Sequence, residues 1–283
     1  GRALRQRGEG PVALVRDTRE SGPEIMQAVL EGLGDAGLDG GVLPTAGLSA
    51  ILEKGLAAYG VAITASHNPW HDNGLKVMGH GGRKLDDQDQ AALEDEIAAL
   101  MDCSTEPVST ERVDGERIWM EAVLAALPGG WGLHGVKVVL DAAHGAGWRV
   151  GPRLLRHLGA EVVEVGVNPD GRNINHGVGA LHPEALSARV RSESAAVGIA
   201  LDGDADRCVL VDAAGDVIDG DGLMLLLARP PGLVGTVMCN AALEPALAQR
   251  GISMVRTGVG DRQVAMKMQS LDWPVGGEPS GHV

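Results

Sequence analysis

The feature that most limits what this chain can fold into is a pattern that occurs three times. A short apolar strand is followed by a small polar loop and then by a segment with helical period. "VALVRDTRESGPEIMQAVLEGLGDAG" begins at Val12, "VKVVLDAAHGAGWRVGPRLLRHLGAE" at Val136 and "GTVMCNAALEPALAQRG" at Gly235. Each helical stretch is expected to stop at a glycine, Gly37, Gly159 and Gly251 in turn, because glycine accepts the left-handed conformation that closes a helix. Strands alternating with helices of this length cover both faces of a sheet, which predicts an α/β fold with parallel or mixed sheets. The copies are spaced by a small domain, far too long for a solenoid. The expected architecture is therefore three related α/β modules with mixed sheets.

Boundaries are placed at 1–114, 115–221 and 222–283. The first falls in "LDDQDQAALEDEIAALMDCSTEPVSTERVDGERIWMEAVLAAL", read as an acidic helix, a polar connection and a second helix. The second follows "VIDGDG", where "LMLLLA" starts a new apolar helix. The third module is short and stops at "GGEPSGHV" without a closing strand or helix, so it reads as incomplete.

Composition excludes several classes of partner. The 283 residues carry 38 acidic and 24 basic side chains, a net charge of −14. Nucleic acid and anionic membranes both call for a positive field, so neither is expected as a partner. Cys103, Cys208 and Cys239 are far apart and form no C-x-x-C pair, which argues against a disulfide framework or a zinc ribbon. The opening "GRALRQRGEG" lacks the apolar core of a secretory leader, and no apolar run approaches membrane-spanning length. A cytoplasmic location is expected. With no Phe and a single Tyr, Tyr59, the cores must be built from Val, Leu, Ile, Ala and Met.

The strongest local chemical signal is "VGIALDGDADRCVLVD". An apolar strand, Val197 to Leu201, delivers Asp202, Asp204 and Asp206 at every second position. In an extended loop that spacing points three carboxylates the same way. Like charges so close repel unless a cation neutralises them, and three carboxylates with open positions suit a hard cation such as Mg²⁺. An EF-hand is excluded, because its sixth and twelfth loop positions are here Arg207 and Ala213 where glycine and glutamate are needed. A phosphatase of the D-x-D-x-T kind would need threonine where Asp206 stands.

Ser66, in "TASHNPWHDNG", is open to three readings. Its hydroxyl is of the kind that forms a turn beside Asn68 and Pro69. A hydrolase nucleophile would want the G-x-S-x-G elbow, yet its neighbours are Ala65 and His67. A phosphoryl carrier needs a nearby cation and an acid–base group, which the aspartate trio and Lys76 can supply. The C-terminal "GGEPSGHV" presents Glu278, Ser280 and His282 at alternating positions, suited to sugar hydroxyls or to an ordinary glycine turn. Arg16 and Arg19 in "RDTRESG", and Asp261 with Arg262 in "VGDR", read equally as structural ion pairs.

Taken in order, "TASHNP", "DNGLK", "LDGDADR", "VGDR" and "GGEPSGH" resemble the α-D-phosphohexomutase superfamily. "RDTRESG" and "PDGRNINHGVGALHPEAL" are similar to its phosphoglucosamine mutase branch. The resemblance implies four domains around a deep cleft, the fourth absent from this chain and the N-terminal strand missing. It implies an isomerase that exchanges glucosamine 6-phosphate and glucosamine 1-phosphate through a phosphorylated Ser66 and a bound glucosamine 1,6-bisphosphate. Such an activity feeds UDP-N-acetylglucosamine and cell-wall precursor synthesis.

By the same resemblance, Asp202, Asp204 and Asp206 hold one Mg²⁺ together with the Ser66 phosphate. Lys76, His67 and His282 fit the acid–base neighbourhood, while Arg207, Glu278, Ser280 and Arg262 fit contacts to the phosphosugar. A kinase or a sugar bisphosphate would prime Ser66, and a monomer or homodimer is expected. The alternatives are a phosphomannomutase or phosphoglucomutase of the same superfamily, and a catalytically silent phosphosugar-binding protein.

Overall fold

The computed structural model describes residues 1–100 and 110–283; Cys103 and most of the polar connection after the acidic helix lie outside the described residues. The first module comprises α1 (Arg2–Arg7), β1 (Val12–Arg16), α2 (Gly22–Leu33), β2 (Gly37–Val42), α3 (Thr45–Glu53), β3 (Tyr59–Ile63), β4 (Leu75–Met78), α4 (Asp87–Ala98), β5 (Glu111–Arg112) and α5 (Gly115–Ala126). The second comprises β6 (Lys137–Asp141), α6 (Val150–His157), β7 (Glu161–Val165), α7 (Pro183–Glu193), β8 (Val197–Leu201), β9 (Cys208–Asp212) and β10 (Val217–Ile218). The third comprises α8 (Gly220–Leu227), β11 (Gly232–Thr236), α9 (Leu243–Gln249), β12 (Ser253–Thr257), α10 (Asp261–Leu271) and β13 (Val275–Gly276).

Each module has its own sheet. The strand orders are β4-β3-β1-β2-β5, β10-β9-β8-β6-β7 and β12-β11-β13. The first two sheets are mixed, with an antiparallel hairpin-side edge at β4 and at β9–β10. The third is small and parallel, because β12 and β13 both run alongside β11. The two-residue β13 ends on the first glycine of "GGEPSGHV" and is too short to be read from period.

Continuous apolar runs occupy the sheet centres because both faces are covered. Along β1, Val12 and Leu14 pack with Met26, Leu30 and Leu33 on one face, while Ala13 and Val15 pack with Leu43, Leu48, Ile51 and Ile118 on the other. The alternation follows from the period of two along a strand, and the result is a helix–sheet–helix sandwich. As the composition requires, aliphatic side chains fill these cores, and Tyr59 is the single Tyr or Trp ring among the described buried residues. Val150 at the start of α6 belongs to the same cluster as Ile51 and Ile118, so part of the core of module one is supplied by module two.

Helix boundaries mostly follow the capping signals. Asp86, Asp114 and Asp219 accept backbone N–H bonds from Asp89, Arg117 and Gly222 at the starts of α4, α5 and α8, as acidic N-caps do. One expectation is corrected: α2 ends at Gly34, with φ 64°, and Gly37 instead opens β2 after a single 3₁₀ turn. Gly159 and Gly251 do take left-handed backbone after α6 and α9. The helix that follows the boundary at Asp114, α5, packs its buried Ile118 into the first module.

Candidate functional site

Ser66 sits just past the carboxyl end of β3, where the parallel sheet delivers its loops. Its backbone is left-handed, φ 49°, which a non-glycine residue holds only when its surroundings impose it. The imposing contacts begin with Thr64, whose Oγ accepts the Ser66 N–H at 2.9 Å and donates to Asp17 Oδ2 at 2.7 Å. Asp17 in turn accepts from the backbone N–H and the Nε of Arg19, at 3.0 and 2.8 Å. Burial pushes the Asp17 carboxyl pKa up, although Arg19 and Thr64 oppose it. Arg19 has no exposed surface, and its guanidinium donates to the carbonyls of Ser66, Asn68, Pro69 and Asp72. Arg19 is therefore a brace for the serine loop, beyond the simple ion pair read from sequence. Arg16, read from sequence in the same way, is partly buried, with a guanidinium that donates to the Asp17 carbonyl at 3.1 Å.

The carboxylate trio follows β8 as expected, but the loop is not extended. Ala205 turns left-handed, φ 54°, and its N–H closes a turn on the Asp202 carbonyl at 3.0 Å. The three side chains still converge, with ligand atoms within 4.8 Å of one another. Convergence thus comes from a turn held by module one: Thr45, at the start of α3, donates its N–H to the Asp204 carbonyl at 3.0 Å and its hydroxyl to Asp204 Oδ2 at 2.7 Å. Asp204 Oδ1 and Asp206 Oδ1 are buried without a hydrogen-bond partner. Leaving charged oxygens buried and unpaired is costly, and a hard divalent cation fits such a donor set.

The trio and the serine meet across the seam between the modules. Ser66 Oγ donates to Asp202 Oδ2 at 2.6 Å. Burial and the neighbouring Asp204 and Asp206 push the Asp202 pKa up. Lys76, on β4, places Nζ 2.6 Å from Asp204 Oδ2 and 3.2 Å from Asp206 Oδ2. Burial opposes its charge, but the two carboxylates outweigh that and hold its pKa above the ordinary lysine value. Burial likewise opposes ionisation of Asp204, and Lys76 outweighs it, so that carboxyl lies below its usual range.

His67 behaves differently. Burial first, then Arg207, lowers its pKa, and its Nδ1 is buried without a partner. With Ser66 Oγ committed to Asp202 and His67 Nδ1 unpaired, no serine–histidine–acid chain runs through this serine, and the hydrolase reading is set aside. Arg207 donates its backbone N–H to Asp202 Oδ1 at 3.1 Å, while its Nε is buried and unpaired.

The glycine approach between the loops is close. A Cβ built on Gly203 would lie 2.5 Å from the Ser66 carbonyl oxygen and 2.9 Å from Asn175 Nδ2. Only glycine lets the metal-side loop come that near to the serine loop.

The third module contributes its C-terminal loop. His282 places Nδ1 3.8 Å from Asp206 Oδ1 and Nε2 3.4 Å from Asp261 Oδ2, so it stands between modules two and three. Asp261 also pairs with Lys84, and Arg262 Nη1 lies 2.6 Å from Asp87 Oδ1. Glu278 Oε1 accepts the Gly260 N–H at 2.9 Å, and Ser280 is exposed. Asp206, Arg262 and His282 line a cleft of about 1260 Å³ shared by all three modules. Thus Ser66, Lys76, Asp202, Asp204, Asp206 and His282 form one connected cluster. The side chains of Glu278, Ser280 and Arg262 make no hydrogen bond or ion pair with it, although the Glu278 N–H donates to the His282 carbonyl at 2.9 Å.

Four neighbours of the cluster went unassigned from sequence: Asp17, Thr45, Thr64 and Asn175. Asn175 lies inside "NINH", a run that carried the resemblance without a role, and its left-handed φ of 59° is a signal available only from structure. Thr45 has no chemical signal in "LPTAGLS" at all.

Known proteins share this sequence pattern and fold. The chain matches the phosphoglucomutase/phosphomannomutase alpha/beta/alpha domains I, II and III over residues 1–102, 131–215 and 219–283. It is 43% identical over 298 residues to the phosphoglucosamine mutase of Verminephrobacter eiseniae, covering 100% of this chain and 65% of that protein. It is 43% identical over 300 residues to the phosphoglucosamine mutase of Delftia acidovorans, covering 100% of this chain and 67% of that one. The chain therefore spans about two thirds of the length of the curated relatives it matches. The crystal structure of a phosphoglucomutase/phosphomannomutase family protein from Burkholderia thailandensis superposes with a TM-score of 0.82 at 29% identity, over 99% of this chain and 66% of that one. No helix among the described residues is long and apolar enough to cross a membrane. Three domain matches in sequence order, the identity to these relatives along the whole of this chain and the shared fold lead to one conclusion: the chain belongs to the phosphoglucomutase/phosphomannomutase family.

Proposed function

We propose that this site interconverts glucosamine 6-phosphate and glucosamine 1-phosphate, with Ser66 carrying the phosphoryl group between them. The observation that carries the reading is the 2.6 Å bond from Ser66 Oγ to Asp202. It sets a buried hydroxyl from one module against a carboxylate trio from another. A turn-forming serine has no need of such a partner, and a phosphoryl carrier has. The phosphoglucosamine mutase relatives support glucosamine as the sugar.

In the proposed cycle a sugar hydroxyl oxygen attacks the phosphorus on Ser66. The new O–P bond forms as the Oγ–P bond breaks, giving glucosamine 1,6-bisphosphate. His67, whose pKa burial lowers, accepts the hydroxyl proton on its imidazole. Lys76, kept charged by Asp204 and Asp206, donates a proton to the departing Ser66 Oγ. The bisphosphate then returns its other phosphoryl to Ser66 by the reverse steps. Asp202, Asp204 and Asp206 would hold a Mg²⁺ ion, which would offset the negative charge of the phosphoryl group. Arg207, Arg262, Glu278, Ser280 and His282 are assigned to phosphosugar binding along the cleft, with His282 also close to the proton-transfer groups. The serine, metal and sugar loops are assigned to the domains 1–114, 115–221 and 222–283 respectively, with α5 (Gly115–Ala126) packed on the first module across that boundary.

The test is isomerisation of glucosamine 1-phosphate by the intact protein. Activity should vanish in Ser66→Ala and on treatment with EDTA, and a phosphate should map to Ser66 by mass spectrometry. Undiminished turnover by Ser66→Ala would sink the reading, and faster turnover of mannose or glucose 1-phosphate would reassign the sugar.

A further inference from the structure

Two buried donors, one from each of the first two modules, converge on the same pair of carbonyls in the serine loop. The Ser66 carbonyl accepts from Arg19 Nη2 at 2.9 Å and from Asn175 Nδ2 at 2.9 Å. The Asn68 carbonyl accepts from the same two groups, at 2.9 and 3.1 Å. Both lone pairs of each oxygen are thereby engaged.

We propose that Asn175 is a positioning residue for the phosphoryl-carrying serine, clamping its loop against the metal-side loop; this rests on the function proposed above. Asn175 is suited to the task in three ways. It is buried, at 9% exposure. It tolerates the left-handed backbone it occupies better than most residues do. Its own N–H is anchored on the Ala143 carbonyl at 2.9 Å, so the amide projects from a fixed base.

The clamp explains why Ser66 stays left-handed. Rotating its peptide toward an ordinary conformation would swing the carbonyl away from both donors at once. It also fixes the spacing of the two loops, because Gly203 packs against the Ser66 carbonyl and the Asn175 amide together. Arg19 holds the serine-loop carbonyls from inside module one. Asn175 ties those same carbonyls to the module bearing Asp202, Asp204 and Asp206, alongside the bond from the Ser66 hydroxyl to Asp202.

The test uses Asn175→Gly, which keeps the left-handed backbone and removes the donor, and Asn175→Asp, which keeps the shape and turns an acceptor toward two carbonyls. In the intact protein, kcat for the hexose phosphate should fall between about 10- and 100-fold, the range expected for a misplaced reacting group. KM should stay within about threefold, since the sugar contacts lie elsewhere. Hydrogen–deuterium exchange should accelerate over residues 64–74 and remain unchanged in β6 and β8.

A kcat within twofold of wild type in both variants would overturn the proposal, even if exchange in the loop rises. So would a loss of activity matched by a rise in KM and by faster exchange throughout both modules, which marks a general structural defect. If the wild-type protein turns over no hexose phosphate, the proposed function fails, and exchange over residues 64–74 alone decides the clamp: unchanged exchange in both variants refutes it.

Discussion

The close backbone approach of Gly203 to the serine loop offers a sharp test of how the site is assembled. In Gly203→Ala the added methyl would lie 2.5 Å from the Ser66 carbonyl oxygen. A comfortable carbon–oxygen contact is about 3.3 Å, so roughly 3.3 − 2.5 = 0.8 Å of separation must be found. Ile174 Cδ1, at 2.8 Å, can turn away, but the carbonyl cannot. It is backbone, and two buried donors hold it. The two loops must part.

Overpacking of this kind costs about 1–3 kcal/mol of stability. Misplacement approaching 1 Å costs up to about 10²-fold in rate. Gly203→Ala should therefore remain folded, with a denaturation midpoint only modestly lowered, while turnover falls far more than stability accounts for. Urea unfolding and steady-state rates on the same preparation separate the two effects. A variant as active as wild type would refute the close packing of the loops. A variant that loses activity only in proportion to its unfolded fraction would refute the coupling between packing and phosphoryl transfer.

Two further outcomes follow from the backbone and the buried carboxyls. Ala205 holds a left-handed conformation that costs an L-residue roughly 1–2 kcal/mol, partly offset by the extra unfolded-state entropy of glycine, about 0.4–1 kcal/mol. Ala205→Gly should stabilise the protein by about 0.5–1 kcal/mol in urea titrations, and a destabilised variant would contradict the strain assigned to φ 54°. Asp141, fully buried at the end of β6, has its carboxyl pKa raised by burial, against the N–H bonds from Gly179 and Ala143. The folded state then keeps that proton to higher pH than the unfolded chain. Its contribution to stability is complete below about pH 4 and declines as pH rises toward the folded value. Asp141→Asn, whose amide NH₂ would face one of the two N–H donors, should be less stable at low pH and should lack that decline as pH rises above about 4; an identical slope in both proteins would refute the assignment.

Sequence patterns reach the parts of this molecule that are locally determined. The strand Val197–Leu201 coincides with its reading because a continuous apolar run bounded by polar loops has no other comfortable fate in an α/β sandwich. The end of α2 falls three residues before the glycine that its period points to, because "LGDAG" contains two glycines and the helix stops at the first. Strands β5 and β13 escape notice since two residues carry no period.

The site divides along the same line. Ser66 and the aspartates announce themselves by residue type and spacing. The turn that gathers the aspartates does not, because it is imposed by Thr45 from another module. Arg19 reads from sequence as half of an ion pair. Its four carbonyl contacts become visible only once β1 and β3 lie side by side.

Those contacts explain why strain collects where it does. Ser66, Asn175 and Ala205 all hold left-handed backbones, a state that costs a non-glycine residue roughly 1–3 kcal/mol each. Each is held from across the seam. Ser66 is bonded by Asn175 of module two, and the Asn175 amide finds its acceptors in module one. The Ala205 turn is gripped at Asp204 by Thr45. The seam is secured away from the site as well, by Thr18 donating to the His144 carbonyl and by the Glu20–Arg172 pair. Val150 extends the module-one core into α6. Apolar packing thus supplies the docking, and docking holds three strained residues in the one arrangement that sets the serine hydroxyl against Asp202. Neither module could keep that arrangement alone: Arg19 and Thr64 brace the serine loop from within module one, but the partners Asn175 and Asp202 come from module two, and Thr45 of module one grips the aspartate turn. The reactive geometry is therefore a property of the interface, and substitutions that loosen the seam should reach Ser66 before they reach either core.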